Sequence, residues 1–308
     1  MEIDFSVVVP TYKCSKTITE LSERLISTLS ILSNNFEIIF VNDNSPENDW
    51  DVVMCLCENE PRIKGVNLSR NFGQHYAITA GLENAKGEWV IVMDGDLQDQ
   101  PEEILKLNKK TKEGFDIVYA RREIRQDSFL KKYTSKLFYK LFGYLTDSKQ
   151  DASIANFGIY HKQVINSILS MKDHVRYFPT MVQWVGFTST KVNVKHVSRE
   201  EGESAYSWSS LIKLAVNNII AFSDKPLKIA VRIGFFISFV SFSIGLYYLY
   251  KFLVGEIIIL GFASLIISIW FLSGLIIMIL GVLGIYIAKT FDRVKDRPTY
   301  IVSKKLNF

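Results

Sequence analysis

Glu88-Trp89-Val90-Ile91-Val92-Met93-Asp94-Gly95-Asp96-Leu97-Gln98-Asp99 is the stretch on which the reading of this chain turns. The apolar run Trp89 to Met93 predicts a buried strand, and it stops abruptly at two carboxylates. Two Asp side chains spaced i, i+2 just past a strand end can converge on one cation, and the glycine between them lets a ligand approach the backbone. Carboxylate oxygens suit a hard divalent ion such as Mg²⁺ or Mn²⁺, which in turn holds phosphate oxygens. Asp94 and Asp96 are therefore candidate metal ligands, with Gln98 as a neutral third oxygen. An acidic loop capping the next helix is the competing reading, and the rest of the chain decides between them.

Outward from this strand, the first 120 residues alternate strand and helix patterns. Strands are expected over 6–9, 36–41, 63–68, 89–93 and 115–119. Helices are expected over 16–33, 48–59 and 73–85, and after Pro101, which suits the first turn of a helix. Such alternation predicts an α/β fold with a largely parallel sheet covered by helices. Ligands in such sheets bind beyond the carboxyl ends of the strands, near a switch in strand order. That edge gathers Pro10-Thr11-Tyr12, Asn42-Asp43-Asn44-Ser45 and the Asp94/Asp96 pair. No Gly-x-Gly-x-x-Gly follows a strand and no Gly-Lys-Ser/Thr phosphate loop is present, which disfavours a dinucleotide oxidoreductase and a P-loop ATPase. A nucleotide held through metal and carboxylates remains.

The other end of the chain is apolar. Hydrophobic residues make up 48% of the 308, and mean hydropathy is +0.13. No charge occurs from Ile233 to Tyr250 or from Ile257 to Ala288. Both runs reach the roughly 18 residues expected of a membrane-spanning helix, and the second, about 48 Å long as a helix, exceeds a hydrocarbon core of about 30 Å. Lys225, Lys228 and Arg232 precede the first run, and Lys289, Arg293, Lys295 and Arg297 follow the second. The positive-inside rule then puts both ends of a two-helix hairpin in the cytosol. The acidic start Met1-Glu2-Ile3-Asp4 does not read as a signal peptide. Four segments are expected: a cytosolic catalytic domain over 1–208, a juxtamembrane amphipathic helix and linker over 209–228, two transmembrane helices over 229–289, and a cytosolic tail over 290–308. Residues 129–145 also read as a basic, aromatic amphipathic helix of the kind that lies among lipid headgroups. Residues 121–140 hold seven Lys and Arg against Glu123 and Asp127. No nucleic-acid motif accompanies the net charge of +4, and Cys14, Cys55 and Cys57 show no metal-ligand spacing and read as reduced thiols. Trp184 reads as core packing in preference to sugar stacking.

Val7-Val8-Val9-Pro10-Thr11-Tyr12, Val41-Asn42-Asp43-Asn44-Ser45-Pro46, Leu68-Ser69-Arg70-Asn71-Phe72-Gly73, the stretch from Met93 to Glu102 and Arg199-Glu200-Glu201-Gly202-Glu203-Ser204 stand in order along the chain. Together they resemble family-2 glycosyltransferases of the dolichol-phosphate mannose synthase type, and the two apolar runs resemble the bacterial polyprenyl-phosphate members. The resemblance spans essentially the whole chain. It implies a GT-A catalytic domain that transfers one sugar, with inversion, from a UDP- or GDP-sugar to an undecaprenyl or dolichyl phosphate at the cytosolic face of the plasma membrane. It implies that Pro10, Tyr12 and Asp43 line the nucleotide, with Asp43 facing the base. Asp94 and Asp96 would hold Mg²⁺ or Mn²⁺ with Gln98 beside them, and Arg122, Lys132, Ser135 and Arg199 would meet the lipid phosphate. Asp151 is a further candidate, as a base or as a group that orients a cation, and a loop cap is its alternative reading. Gly158 stands where the bacterial members usually carry Arg. Extension of a polysaccharide or glycolipid, and a non-catalytic membrane scaffold, are the alternative functions. Gly274, Gly281 and Gly284 suit helix packing between subunits of a homo-oligomer or within one hairpin.

Overall fold

The computed structural model of the protein describes residues 3–122, 143, 154–171, 173–195, 223, 225–255 and 261–308. The chain divides into two compact units. One joins the N-terminal region to residues 298–308, and the other holds the two long apolar helices.

The first unit is built on one sheet of eight strands. β1 (Phe5–Thr11), β2 (Phe36–Asn42), β3 (Ile63–Leu68), β4 (Trp89–Val92), β5 (Ile117–Arg122), β6 (Ile154–His161), β7 (Ser189–Val194) and β8 (Val302–Leu306) lie in the order β7-β5-β6-β4-β1-β2-β3-β8. β1 pairs in parallel with β2 and β4, as β2 does with β3 and β5 with β7, while β6 runs antiparallel to both β4 and β5. From β1 the chain builds outward through β2 and β3, then crosses back to place β4 on the other side. The strand order therefore switches between β1 and β4, where an open α/β sheet forms a crevice.

The strands read as continuous apolar runs because both faces are covered; every residue of β1 and β2 is buried. α1 (Ile18–Leu32) packs on one face through Ile18, Leu21, Leu25 and Leu29, spaced three and four apart and all fully buried. Burying each such side chain stabilises the fold by about 1.5–3 kcal/mol. α2 (Asp49–Asn59), α3 (Gln74–Asn84), α4 (Ile104–Thr111), α5 (Lys162–Ser170) and α6 (Phe178–Trp184) complete the layers. α3 comes so close to the sheet that a Cβ on Gly81 would lie 2.3 Å from Val8. Pro101 opens a short 3₁₀ turn, Pro101–Glu103, ahead of α4. The fifth strand starts at Ile117, two residues later than the sequence pattern suggests, because its ladder begins opposite Tyr160 and Ser189.

Two placements differ from expectation. The C-terminal residues, read as part of a tail, form strand β8 on the edge of the sheet. Gly65, Val66, Asn67 and Leu68 pair with Leu306, Lys305, Lys304 and Val302, and Asn307 donates to the carbonyls of Cys57 and Ile63 at 2.6 and 2.9 Å. Val302 and Leu306 are half-buried while Ser303, Lys304 and Lys305 are exposed, a five-residue pattern with a charged rim that suits an edge strand. Trp184 is 69% exposed and so is not core. It ends α6, five residues before Ser189, which opens β7 opposite Ile117 of β5. Gly158 sits inside β6, where a Cβ would meet the Tyr160 hydroxyl at 2.7 Å and the Val118 carbonyl at 2.9 Å. Here a side chain as large as Arg has no room without repacking.

In the second unit, α7 (Lys225–Leu253) and α8 (Phe262–Val294) are both long and apolar enough to cross a membrane. A core hairpin of a water-soluble domain would be mostly buried, whereas the apolar windows of these helices are 6% and 0% buried. The Tyr286 hydroxyl donates to the Ser223 carbonyl at 2.8 Å, and Gly234 faces Ile279. A Cβ on Gly274, Gly281 or Gly284 would meet nothing within 4 Å. The expected amphipathic helices over 129–145 (apart from Gly143) and 209–222 lie outside the described residues.

Candidate active site

Four loops leave the carboxyl ends of β1, β2, β3 and β4 and are joined by hydrogen bonds. At the end of β1, Pro10 and Thr11 are buried, whereas Tyr12, just after it, is exposed with the Lys13 ammonium 5.6 Å above its ring. The Lys13 N–H donates to Ser45 Oγ at 3.0 Å, Ser15 Oγ donates to Glu47 at 3.1 Å, and the Cys14 N–H donates to Asp49 Oδ2 at 3.1 Å. Burial, with Asp49 close by, pushes the Cys14 thiol well above its ordinary range, so it is a packing group and not a nucleophile. Thr17 Oγ1 donates to the Gly95 carbonyl at 2.6 Å, which ties the β1 loop to the Asp94-Gly95-Asp96 turn.

That turn is pressed against β1. A Cβ on Gly95 would lie 3.2 Å from both Cys14 Sγ and the Pro10 carbonyl, so a larger residue would need these neighbours to give by a few tenths of an ångström. The turn itself is shaped by Asp96 Oδ1, which accepts the Gln98 N–H at 3.2 Å, and by Leu97, whose φ is +58°. Left-handed backbone at a non-glycine residue carries strain, and such residues cluster at functional sites. In the sheet unit, Lys13, Asn44 and Leu97 adopt it in the loops after β1, β2 and β4, and Asn307 adopts it after β8.

Asp43 stands at the end of β2 and is 2% exposed. Its Oδ1 accepts the Phe72 N–H at 2.7 Å and its Oδ2 the Gly73 N–H at 2.8 Å, fixing the loop between β3 and α3. Burial raises the Asp43 carboxyl above its ordinary value, and the two N–H donors oppose that rise. Gly73, with φ of +106°, turns the chain into α3, and Gln74 Nε2 donates to Asp94 Oδ1 at 2.6 Å. Asn42 donates to Asn67 Oδ1 at 2.8 Å and accepts the Ser45 N–H, bridging β2 to β3.

The structure thus brings Pro10, Tyr12, Asp43, Asp94, Asp96 and Gln98 to one end of the sheet, with Asp94, Asp96 and Gln98 half-buried. Arg122 ends β5, and its side chain, like Lys132, Ser135, Asp151 and Arg199, lies outside the described residues. Sequence reading missed Gln74, because no periodicity or spacing tells which side chain after a turn reaches a neighbouring loop. It also missed that the acidic stretch has a structural second half. Arg24 on α1 clasps Glu102 through two hydrogen bonds, at 2.9 and 2.7 Å, and also bonds Gln100.

Among the described residues, no three His, Cys, Asp or Glu side chains gather as a metal cage. A pair of oxygen donors beside an open strand end suits Mg²⁺ or Mn²⁺, ions bound through one or two carboxylates while substrate phosphates and water fill the other positions. Asp94 and Asp96 fit such an ion.

The family description "Glycosyl transferase family 2" matches residues 6–171, a span that begins in β1 and ends just after α5. The glycosyltransferase YkcC of Bacillus subtilis (strain 168) is 37% identical over 98% of this chain and 94% of its own length. The SfII prophage-derived bactoprenol glucosyl transferase of Shigella flexneri is 32% identical over 97% of each chain. Among solved structures, glucosyl-3-phosphoglycerate synthase of Mycobacterium tuberculosis, in complex with Mn²⁺, uridine diphosphate and phosphoglyceric acid, has the same fold with a TM-score of 0.50. It is 15% identical, over 71% of this chain and 77% of that one. Sheet order, the strand-end carboxylates and these likenesses agree: the chain belongs to glycosyl transferase family 2 and carries its GT-A-like catalytic fold.

Proposed function

We propose that this chain transfers a single sugar, with inversion, from a nucleotide-sugar donor to a polyprenyl phosphate at the cytosolic face of the plasma membrane. One observation carries the reading: a sheet with carboxylates at its strand ends is joined, in one chain, to two apolar helices that are almost wholly unburied. A soluble acceptor gives no reason for that pairing, whereas a lipid whose phosphate stays at the headgroup plane does. The name of the Shigella relative, a bactoprenol glucosyl transferase, supports the same acceptor class.

In this reading Pro10 and Tyr12 line the nucleotide, and Asp43 shapes that wall through the Phe72–Gly73 loop it holds. Asp94 and Asp96 hold Mg²⁺ or Mn²⁺ against the diphosphate, with Gln98 beside them. When bound, the ion neutralises charge on the departing diphosphate. The complex of the Mycobacterium synthase with Mn²⁺ and uridine diphosphate supports this assignment, and a UDP-sugar is the first donor to try. Arg122, Lys132, Ser135 and Arg199 orient the acceptor phosphate. Asp151 acts as a base or orients one of these cations. A phosphate monoester with a second pKa of about 6 is largely dianionic at pH 7. Its oxygen attacks the anomeric carbon, the bond from that carbon to the donor diphosphate breaks, and the electron pair leaves on the nucleoside diphosphate. No proton must be removed first, so position and charge supply the catalysis.

The placement of β8 supports the topology. Residues on both sides of the hairpin build one sheet, so a hairpin that spans the bilayer must return to the face from which it left. With the flanking Lys and Arg residues, that face is the cytosol. A thiol at position 254 (Val254→Cys) should then react with an impermeant probe from outside the cell; labelling only after lysis overturns the topology. The activity is tested by giving membranes that contain the protein a panel of labelled sugar nucleotides with undecaprenyl phosphate. A lipid-linked monosaccharide is expected, and label found only in a polymer or a soluble product overturns the acceptor.

A further inference from the structure

Gln74 joins the loop after β3 to the loop after β4. It is the first residue of α3, placed there by Gly73, whose N–H is held by Asp43. From that position its amide donates to Asp94 Oδ1 at 2.6 Å, within the short range of a strong hydrogen bond. A chain of contacts therefore runs from the end of β2 (Asp43), through the loop after β3 (Phe72 and Gly73), to the end of β4 (Asp94).

The chemistry of this contact is specific. A carboxylate joined to the backbone by one methylene turns about two torsions, and a donor fixed on one oxygen sets the plane in which the other oxygen lies. The donor is an uncharged amide, so it orients Asp94 without cancelling the charge that a cation needs. Groups that hold a ligating carboxylate in place typically change metal affinity by about 10–100-fold when removed. The Gln74 backbone is set independently of Asp94: Asp43 and the left-handed Gly73 fix the turn just before it, so the orienting group is itself anchored.

We infer that Gln74 is a positioning residue that presents the Asp94 carboxylate to the cation of the nucleotide-diphosphate site. The inference rests on the reading of Asp94 and Asp96 as metal-holding residues. It adds that cation affinity in this chain is set partly from the β3–α3 loop, outside the Asp-Gly-Asp turn, and that Asp43 acts on the cation through that loop.

The test uses the full-length protein in detergent micelles. Manganese binding is followed by loss of the free Mn²⁺ electron paramagnetic resonance signal, with uridine diphosphate present. Gln74→Met keeps the side-chain length and removes the donor, Gln74→Ala removes both, and Asp96→Asn is the control for the metal site. The two Gln74 variants are expected to need about tenfold more Mn²⁺ for half-saturation. Their melting temperatures without metal should stay within a few degrees of the parent. Parent-like Mn²⁺ binding in Gln74→Met, alongside lost binding in Asp96→Asn, overturns the positioning role and leaves the metal reading intact. Parent-like binding in Asp96→Asn overturns the metal reading, and the role of Gln74 falls with it. A Gln74→Met protein that melts far below the parent makes the contact structural and also overturns the inference.

Discussion

The two ends of the parallel strands use similar residues for opposite purposes. At the amino ends, Glu37 is 1% exposed, and its oxygens accept from Ser6 Oγ at 2.6 Å, from the Lys86 N–H at 2.7 Å and from the Lys64 ammonium. Ser6 Oγ in turn accepts the Gly87 N–H at 2.7 Å. That network is closed: a buried charge with an opposite charge and several donors fixes three strands and a loop relative to one another. At the carboxyl ends, Asp94 and Asp96 are half-buried and stand on a glycine turn, where Asp94 accepts the Gln74 amide and Asp96 the Gln98 N–H. A carboxylate buried against its counter-charge is structural, whereas a half-buried one at a strand end stands where a ligand can reach it. Position along the strand decides which of the two an acidic residue becomes.

Substitutions at the two ends should separate these roles. The largest effect is expected from Asp96→Asn, which should lower sugar transfer by at least about 100-fold while the melting temperature holds; parent-like turnover with metal present would remove the metal assignment. Glu37→Ala should do the reverse, costing about 3–5 kcal/mol in chemical denaturation because Lys64 is left buried without its counter-charge. Transfer per folded molecule should remain. Arg199→Ala should raise the acceptor concentration needed for half-maximal rate and leave donor affinity unchanged; a selective loss of nucleotide binding contradicts its proposed place at the lipid phosphate.

A smaller, pH-dependent effect is expected beside the carboxyl ends. His75, in the first turn of α3 with its ring edge-on to Tyr177 at 4.6 Å, is pushed down to about 4 by burial. Its folded value is below the unfolded value of about 6.5, so the unfolded chain binds the extra proton first. Stability is therefore full above pH 6.5 and falls as the pH drops towards 4, by up to roughly 3 kcal/mol from this group. His75→Phe should flatten that part of the melting-temperature profile; an unchanged acid slope would assign it to other groups. The smallest effect is expected from Tyr300→Phe, which removes the hydroxyl bonded to Glu83 and should cost about 0.5–1.5 kcal/mol with transfer unaffected.

How much of this was readable in advance follows the range of each interaction. Apolar runs and their punctuation report local burial, so β3 and α2 emerged almost residue for residue, and the Asp94-Gly95-Asp96 turn was visible as a strand end. The two helices of the second unit were visible from absent charge alone. The destination of polar side chains was not visible. Asp43, expected to face a nucleotide base, also has partners that the sequence does not reveal: both of its oxygens accept backbone N–H groups some thirty residues away. Trp184 has the composition of a core residue and is exposed, because α6 buries Phe178, Met181 and Val182 and leaves its last residue outside. β8 escaped notice since its charged edge pattern resembles a tail until β3 is there to pair with it.

Strand β8 also sets an order of events in time. Its five residues leave the ribosome after every other element, and after both apolar helices. Domains fold as they emerge, so β3 must wait with an unpaired edge, the surface most open to wrong partners, until the hairpin has been made. If the hairpin spans the bilayer, a chain whose second helix fails to return carries β8 to the wrong side and can never cover that edge. For a hairpin that spans the bilayer, completion of the sheet thus requires both of its ends to lie on one face.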